Sequence, residues 1–558
     1  MATDSVTAPQ QTPQKTAPRQ RWLISVGILL LGVICFAAAQ WIFRENSTFA
    51  KMAGLIIVLS NIFLQLLWWT FLSGWSWRVR LTGLGLLAAG LAVLAAVFRL
   101  DGADGDMMPR FAYRWSPSRD ELAANYFNEN AAPVAPAAEE ETLPELTITS
   151  ADWPGFRGAK RDGIVRDLRI RTDWSANPPK ELWRHPIGRG WSSFAVVGDL
   201  AFTQEQRPQG EAIVCYDLLT GRENWSHFDD ARFAVTEAQG GDGPRATPLI
   251  EGNRLYALGG TGILNCLDAR TGKPVWSRNI LEDAGQPGQL APNIEWGMSG
   301  SPWIEGQFVL MNPGGTAGRS VIAYDKDNGK IIWANGQYPA SYAGVRVETL
   351  QGERVALVFH AKGLSSHALA DGREQWMSPW ENFAQVNSTQ PIVPDEETVL
   401  FGSGYGQGTV RLKVQKQGTE WTTETEWKSN RLKQKFNDAI LWKEHLYGLD
   451  DGILTCLDAN TGKVAWKLGR YGYGQILLLA EQELLLVQAE DGAVLLLPAT
   501  PKRPDEIAKI TVLEGICWNH PVLVNGKLLV RNGAEAACFE VGESAAVSAT
   551  PQEPSPTE

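Results

Sequence analysis

Three runs near the start of the chain, 22–43, 52–72 and 81–98, contain no charged residue. Each is close to the roughly 20 apolar residues needed to cross a bilayer, so the pattern predicts three transmembrane helices. From about residue 180 the pattern changes. Short apolar runs alternate with turn residues such as EGN and GGTG. That alternation predicts short antiparallel strands rather than helices. Between the two regions, 100–150 is rich in Ala, Pro and Glu and reads as an unpacked linker, and the tail 542–558 reads the same way. The chain therefore divides into a cytoplasmic tail (1–21), a three-helix anchor (22–99), the linker (100–150), a β-domain (151–541) and a disordered tail (542–558).

Lys and Arg placement orients the anchor. Lys15, Arg19 and Arg21 precede the first helix, and Arg78 and Arg80 separate the second from the third. Both groups belong on the inside by the positive-inside rule. The loop with Arg44 and Lys51 runs against the rule, whereas Asp101, Asp104 and Asp106 follow the third helix. Everything after residue 100 is thus expected outside the cytoplasm. Asn61 and Gln65, four residues apart on the second helix, are expected to bond to a neighbouring helix.

The β-region is built on one phrase: CYDLLTGRENW (215–225), CLDARTGKPVW (266–276), AYDKDNGKIIW (323–333) and CLDANTGKVAW (456–466), with a worn copy ending ALADGREQW at Trp376. Asp217, Asp268, Asp325 and Asp458 stand eight residues before Trp225, Trp276, Trp333 and Trp466; Gly221, Gly272, Gly329 and Gly462 stand four before, as does Gly372 before Trp376. The Asp carboxylate fixes a turn, Gly takes its positive φ, and the next strand ends in a Trp that fills the gap between sheets. Four strands per unit, repeated, predict an all-β propeller of four-stranded antiparallel blades. Eight units begin near Ser193, Ala246, Ser301, Tyr342, Ser388, Asp438, Gly474 and Trp518, with seven as the alternative. The eighth runs out of chain after three strands, and KELWRHPIG with Trp183 is expected to supply its outer strand.

The phrase resembles the pyrroloquinoline-quinone (PQQ)-type repeat, and the whole of 152–541 is similar to bacterial PQQ-like propellers. DWPGFRG (152–158), RDG (161–163), EWGMSGSPWIEG (295–306), FGSGYGQG (401–408) and CWNHPVLVNGKLLVRN (517–532) carry that resemblance. It implies the propeller fold and two functions. Quinoprotein dehydrogenases hold PQQ and Ca²⁺ to oxidise alcohols or sugars, and membrane glucose dehydrogenases place helices before the propeller. BamB-type propellers bind proteins without chemistry. Together with the three spans and their flanking charges, the resemblance to bacterial proteins implies a multi-pass protein of the inner membrane with its propeller in the periplasm.

Composition narrows the choice. The 51 Lys and Arg against 62 Asp and Glu, a net charge of −11, exclude the basic footprint of a nucleic-acid binder. The six Cys include no adjacent pair of the kind on which soluble quinoprotein dehydrogenases stack the quinone; Cys215, Cys266 and Cys456 share one register and read as small core residues. The six His lack metal-ligand spacing, so no metal ligand is assigned. Glu295, Asn387 and the Asn437–Asp438 pair can face the channel, but the sequence does not assemble them into a Ca²⁺–PQQ site. The loops that lead into the inner strands form a funnel with Arg245, Trp296, Asn387, Tyr405, Asn437, Trp518, Asn519 and His520 as its ligand-binding candidates. The expected function is a membrane-anchored scaffold, in contact with the bilayer through its helices and with a protein or small-molecule partner at the funnel. The alternative is a PQQ-dependent dehydrogenase of alcohols or sugars.

Overall fold

The computed structural model describes residues 18–44, 47–130, 143–235, 240–286, 293–315 and 317–542. They fall into two units, Met1–Ser116 and Pro117–Glu558. The first contains α1 (Pro18–Ile42), α2 (Ser47–Leu67, prolonged by one π-type turn, Trp68–Leu72) and α3 (Trp77–Val97). All three are long and apolar enough to cross a membrane. Polar side chains tie α1 to α2 as expected. Asn61 donates to the carbonyl of Ile28 (2.7 Å), and Gln65 exchanges hydrogen bonds with Ser25 (2.7 and 2.8 Å). Lys51, the charge that runs against the inside rule, is held by Asp106 at 2.5 Å, and Thr48 donates to the same carboxylate (2.9 Å). The start of α2 and the acidic turn after α3 therefore meet at one end of the helices.

The linker expectation needs correction. Residues Phe98–Ala103 (β1) and Pro109–Tyr113 (β2) form a hairpin, and Arg119–Glu129 form a helix, α4. A capping box explains α4: Ser118 accepts from the amide of Glu121 while Glu121 accepts from that of Ser118. The Ala and Glu content that reads as linker also suits a helix. Tyr126 stacks on His185 (4.8 Å) and Phe127 lies under the Arg207 guanidinium (3.6 Å), which docks α4 on the propeller. Residues 131–142, the centre of the expected linker, and 543–558, nearly all of the expected tail, lie outside the described residues, as do 1–17 of the N-terminal tail.

The second unit is an eight-bladed propeller. Every blade has four antiparallel strands, which in blades 1 to 7 follow in sequence order from the axis outward. Blades 1 to 7 begin with Ala195–Val197, Leu249–Glu251, Trp303–Glu305, Arg346–Leu350, Ile392–Asp395, Ile440–Trp442 and Gln475–Leu479. Blade 8 takes Val522–Val524, Lys527–Arg531 and Glu535–Glu540 from the C-terminal side and its outer strand, Lys180–Pro186, from the N-terminal side. This closure removes a free edge. Arg531 strengthens it. Fully buried in blade 8, it donates to Thr203 Oγ1 (2.7 Å) and to the carbonyls of Gln204, Gly188 and Gly190.

The repeated phrase works between blades. Asp217 accepts from the amides of Leu219 and Thr220 (3.1 and 2.8 Å), and Asp268, Asp325 and Asp458 do the same in their turns. Gly272 has φ +71°, and a Cβ there would stand 2.5 Å from Cε3 of Trp225 in the preceding blade. Glycine is needed twice over, for the turn and for the indole. Each indole also donates into the next blade: Trp183 to Leu218, Trp225 to Ala269, Trp276 to Lys326, Trp333 to Leu369, Trp427 to Ala459 and Trp466 to Thr500 (2.8–3.2 Å). Trp376 is the exception. It faces blade 5, whose long hairpin (Gly408–Gln417 with Glu420–Ser429) lacks the Asp turn, and its Nε1 is buried without a partner. The cysteines also have their reason: Cys215, Cys266, Cys456 and Cys538 stand directly opposite Trp225, Trp276, Trp466 and Trp183, where a small residue makes room. All six cysteines are unpaired.

Candidate functional site

Antiparallel order puts every connection from an outer strand to the next inner strand on one face of the ring. The funnel candidates sit on or beside these connections, and the axis beneath them is not open. The leader Asp152–Val165 forms a hairpin-shaped plug inside the channel. It enters beside blade 1, where Trp153 exchanges backbone bonds with Val196 (2.9 and 2.7 Å) and Asp152 accepts from Gly198. It rises to the level of the mouth, where Phe156 packs edge-on against His520 (5.8 Å). It then returns, and Ile164–Val165 add a parallel strand to blade 7.

Two arginines hold the apex. Arg157, 3% exposed, pairs with Asp438 (3.1 Å) and donates to the carbonyls of Asp162 and Ala439 (2.8 and 2.9 Å). Arg161 donates to the carbonyls of Ser301 and Pro302, and its own carbonyl accepts from Arg346 (3.0 Å). Burial, with Arg346 close by, pulls Arg157 and Arg161 down to about 9, still protonated at neutral pH. The leader thus reaches blades 1, 2, 3, 4, 6, 7 and 8, the second through the Ile250 amide on the Pro154 carbonyl (2.8 Å). The sequence shows a Gly- and Arg-rich leader but no periodicity that would place it in the axis.

Four funnel candidates are buried structural groups. Asn387 donates to the carbonyls of His360 and Trp380 (2.8 and 3.3 Å), and Asn437 to that of Gly474 (3.4 Å). Asn519 donates to the carbonyl of Ser192 (2.8 Å). His520 is held neutral, its pKa lowered to about 3 by burial and by the Arg157 charge. Arg245 bonds the carbonyls of its own loop, Gly243 and Gly241 (2.8 and 3.1 Å), and lies over Phe233 (5.0 Å).

The remaining three face the mouth. Trp518 joins Trp191 (4.7 Å) and Phe436 (5.1 Å), and Phe436 in turn meets Tyr473 (5.4 Å). Its indole donates to Glu490 (2.7 Å). Tyr405 packs edge-on with Phe383 (5.9 Å), and Trp296 meets Tyr342 at a tilt of 42° (5.2 Å). Aromatic rings therefore line most of the rim. Between blades 2 and 5 the rim deepens into a cavity of about 700 Å³ lined by Trp296, Tyr342, Phe383, Gln286, Asn293 and Gln385 among others. Phe383, 73% exposed, has no counterpart among the sequence candidates; an isolated Phe in a loop gives no periodic signal.

The donor set does not fit a Ca²⁺–PQQ site. Asp438 is engaged by Arg157, Arg346 pairs with Glu348 (2.5 Å), and the buried guanidinium of Arg161 beside them opposes a divalent cation. Among the described residues no group of three or more His, Cys, Asp or Glu could hold a metal ion. No lysine, arginine or histidine is among the described residues lining the cavity.

Comparison with known proteins agrees with the fold. The family described as outer membrane protein assembly factor BamB matches residues 209–468. A quinohemoprotein alcohol dehydrogenase, ADH IIB, of Pseudomonas putida is 26% identical over 124 residues, 22% of this chain and 17% of that protein. BamB of Aliivibrio fischeri is 62% identical over 34 residues, 6% of this chain and 9% of that one. The chain thus spans less than a fifth of the length of these two relatives. The crystal structure of BamB from Moraxella catarrhalis superposes with a TM-score of 0.46 at 16% identity, covering 65% of this chain and 97% of that one. The chain is a β-propeller, similar over residues 209–468 to the BamB-described family of PQQ-like repeats, and in sequence it follows three helices able to cross a membrane.

Proposed function

We propose that this protein is a membrane-anchored binding scaffold whose propeller lies outside the cytoplasm of a bacterial cell, in the periplasm, and whose aromatic mouth is the binding face. The helices would place it as a multi-pass protein of the inner membrane. The observation that carries the reading is the plugged axis: Arg157, Arg161 and Arg346 tie the leader to blades 6, 3 and 4. The match to an assembly-factor family supports a partner-binding role.

Photo-crosslinking in cells tests it. A benzoyl-phenylalanine at Phe383 samples the mouth, and one at Leu219, 48% exposed in a turn of the opposite face, is the control. The reading expects a discrete adduct, protein or glycan, from position 383 and none from 219. Equal labelling from both positions, or none from either, contradicts it.

A further inference from the structure

We propose that the cavity between blades 2 and 5 is a subsite for an uncharged oligosaccharide. The inference rests on the reading of the mouth as a binding face and names the ligand class. Three rings come from three successive interblade connections: Trp296 from blades 2 to 3, Tyr342 from 3 to 4 and Phe383 from 4 to 5. Tyr342 is fixed in place. Its hydroxyl donates to the carbonyl of Asn293 (3.1 Å) and accepts from the amide of Trp296 (3.3 Å). That ring is therefore set before any ligand arrives, which lowers the ordering cost of binding against it. Flat rings suit the C–H face of a pyranose as they suit other apolar surfaces.

The polar lining completes the match. Gln286 donates its amide nitrogen to the carbonyl of Gly314 (2.8 Å), and Asn293 donates its own to that of Ala340. With one N–H of each anchored, both amides keep an oxygen acceptor and a second N–H donor. A ligand rich in hydroxyls, which both donate and accept, matches such groups. The described lining holds one carboxylate, Glu295, and no cationic side chain, so it gives an anionic ligand no counter-charge. The cavity volume of about 700 Å³ falls within the ordinary range of ligand clefts, about 300–1,000 Å³. A peptide, the other occupant that aromatic and amide groups can hold, offers its backbone N–H and C=O groups at the fixed spacing of one strand and fits the clustered amides less well.

The test uses the full chain in detergent, titrated by tryptophan fluorescence and calorimetry with chitotetraose, cellotetraose and maltotetraose. Oligogalacturonate serves as the anionic probe and an unstructured peptide as the peptide probe. The inference expects saturable binding of at least one neutral sugar, weakened tenfold or more by Phe383→Ala and by Trp296→Ala. Phe383 is exposed, so its variant keeps the fold even where Trp296→Ala does not. Binding of no neutral sugar, binding unchanged in both variants, or preference for the polyanion or the peptide each overturns the inference. A protein adduct from position 383 together with no sugar binding would overturn this inference while leaving the scaffold reading standing.

Discussion

Removing Arg157 isolates the energetic role of the axial plug. In the native protein its guanidinium pairs with Asp438 and bonds two carbonyls, and both charged side chains are almost wholly buried. Arg157→Met keeps most of the volume and strands the carboxylate of Asp438, which then has the amide of Gln390 as its remaining described partner. Breaking a buried pair from one side costs about 3–5 kcal/mol. For a propeller of roughly 390 residues, an unfolding entropy near 2.1 cal/mol/K per residue gives roughly 0.8 kcal/mol/K, so Tm should fall by roughly 4–6 °C. The assay is a thermal melt of the full chain in detergent, followed by tryptophan fluorescence. The double variant Arg157→Met/Asp438→Asn removes the stranded charge and should recover at least half of the loss. A single variant that melts within 1 °C of the wild type, or a double variant no better than the single, refutes the reasoning.

Other consequences follow from the same contacts. Trp276→Phe loses the bond to the Lys326 carbonyl and should cost about 1–2 kcal/mol more than Trp376→Phe, whose indole nitrogen has no partner; equal costs in denaturant melts would count against the docking scheme. Gly272→Ala meets both a positive φ and the Trp225 ring, whereas Gly418→Ala, at φ +62° with nothing within 4 Å, meets only the backbone penalty of about 1 kcal/mol. The first should be the more destabilising by at least about 1 kcal/mol, and the reverse order would be inconsistent with the packing. His360 and His520 are both held neutral, their pKa values lowered to about 3 by burial. Their folded values lie below the unfolded 6.5, so the unfolded chain takes up protons first as pH falls. Stability is fully present above about 6.5 and declines between about 6.5 and 3. Each should cost about 2 kcal/mol at pH 5, a loss that His520→Gln reduces by about that amount. A pH profile identical in the variant and the wild type would contradict it.

What could be read from the chain was whatever repeats. The Asp, Gly and Trp spacing specifies turn, indole dock and blade closure because the same three contacts recur. Trp183 announces the missing outer strand by the same residue type, and Cys215, Cys266 and Cys456 announce their small-residue position by their shared register. Features that occur once were not legible. The plug depends on Arg157 meeting Asp438 across more than 280 positions, a pairing no local pattern encodes. Asn387, Asn437 and Asn519 lead into inner strands as expected, yet their amides close backbone gaps within the wall instead of facing a ligand, a choice set by packing. The helix Arg119–Glu129 carried its signal in Ser118 and Glu121, masked by the surrounding Ala, Pro and Glu. Phe383 has no pattern at all and is recognised by its exposure.

The central claim, that this propeller binds without quinone chemistry because its axis is filled by its own leader, meets its most direct test in reconstitution. The purified full chain is incubated with PQQ and Ca²⁺, freed of excess, and examined for quinone absorbance and for dye reduction with alcohols and sugars. The account predicts no stoichiometric quinone and no reduction above the protein-free control. One quinone retained per chain, with substrate-dependent dye reduction, would contradict it.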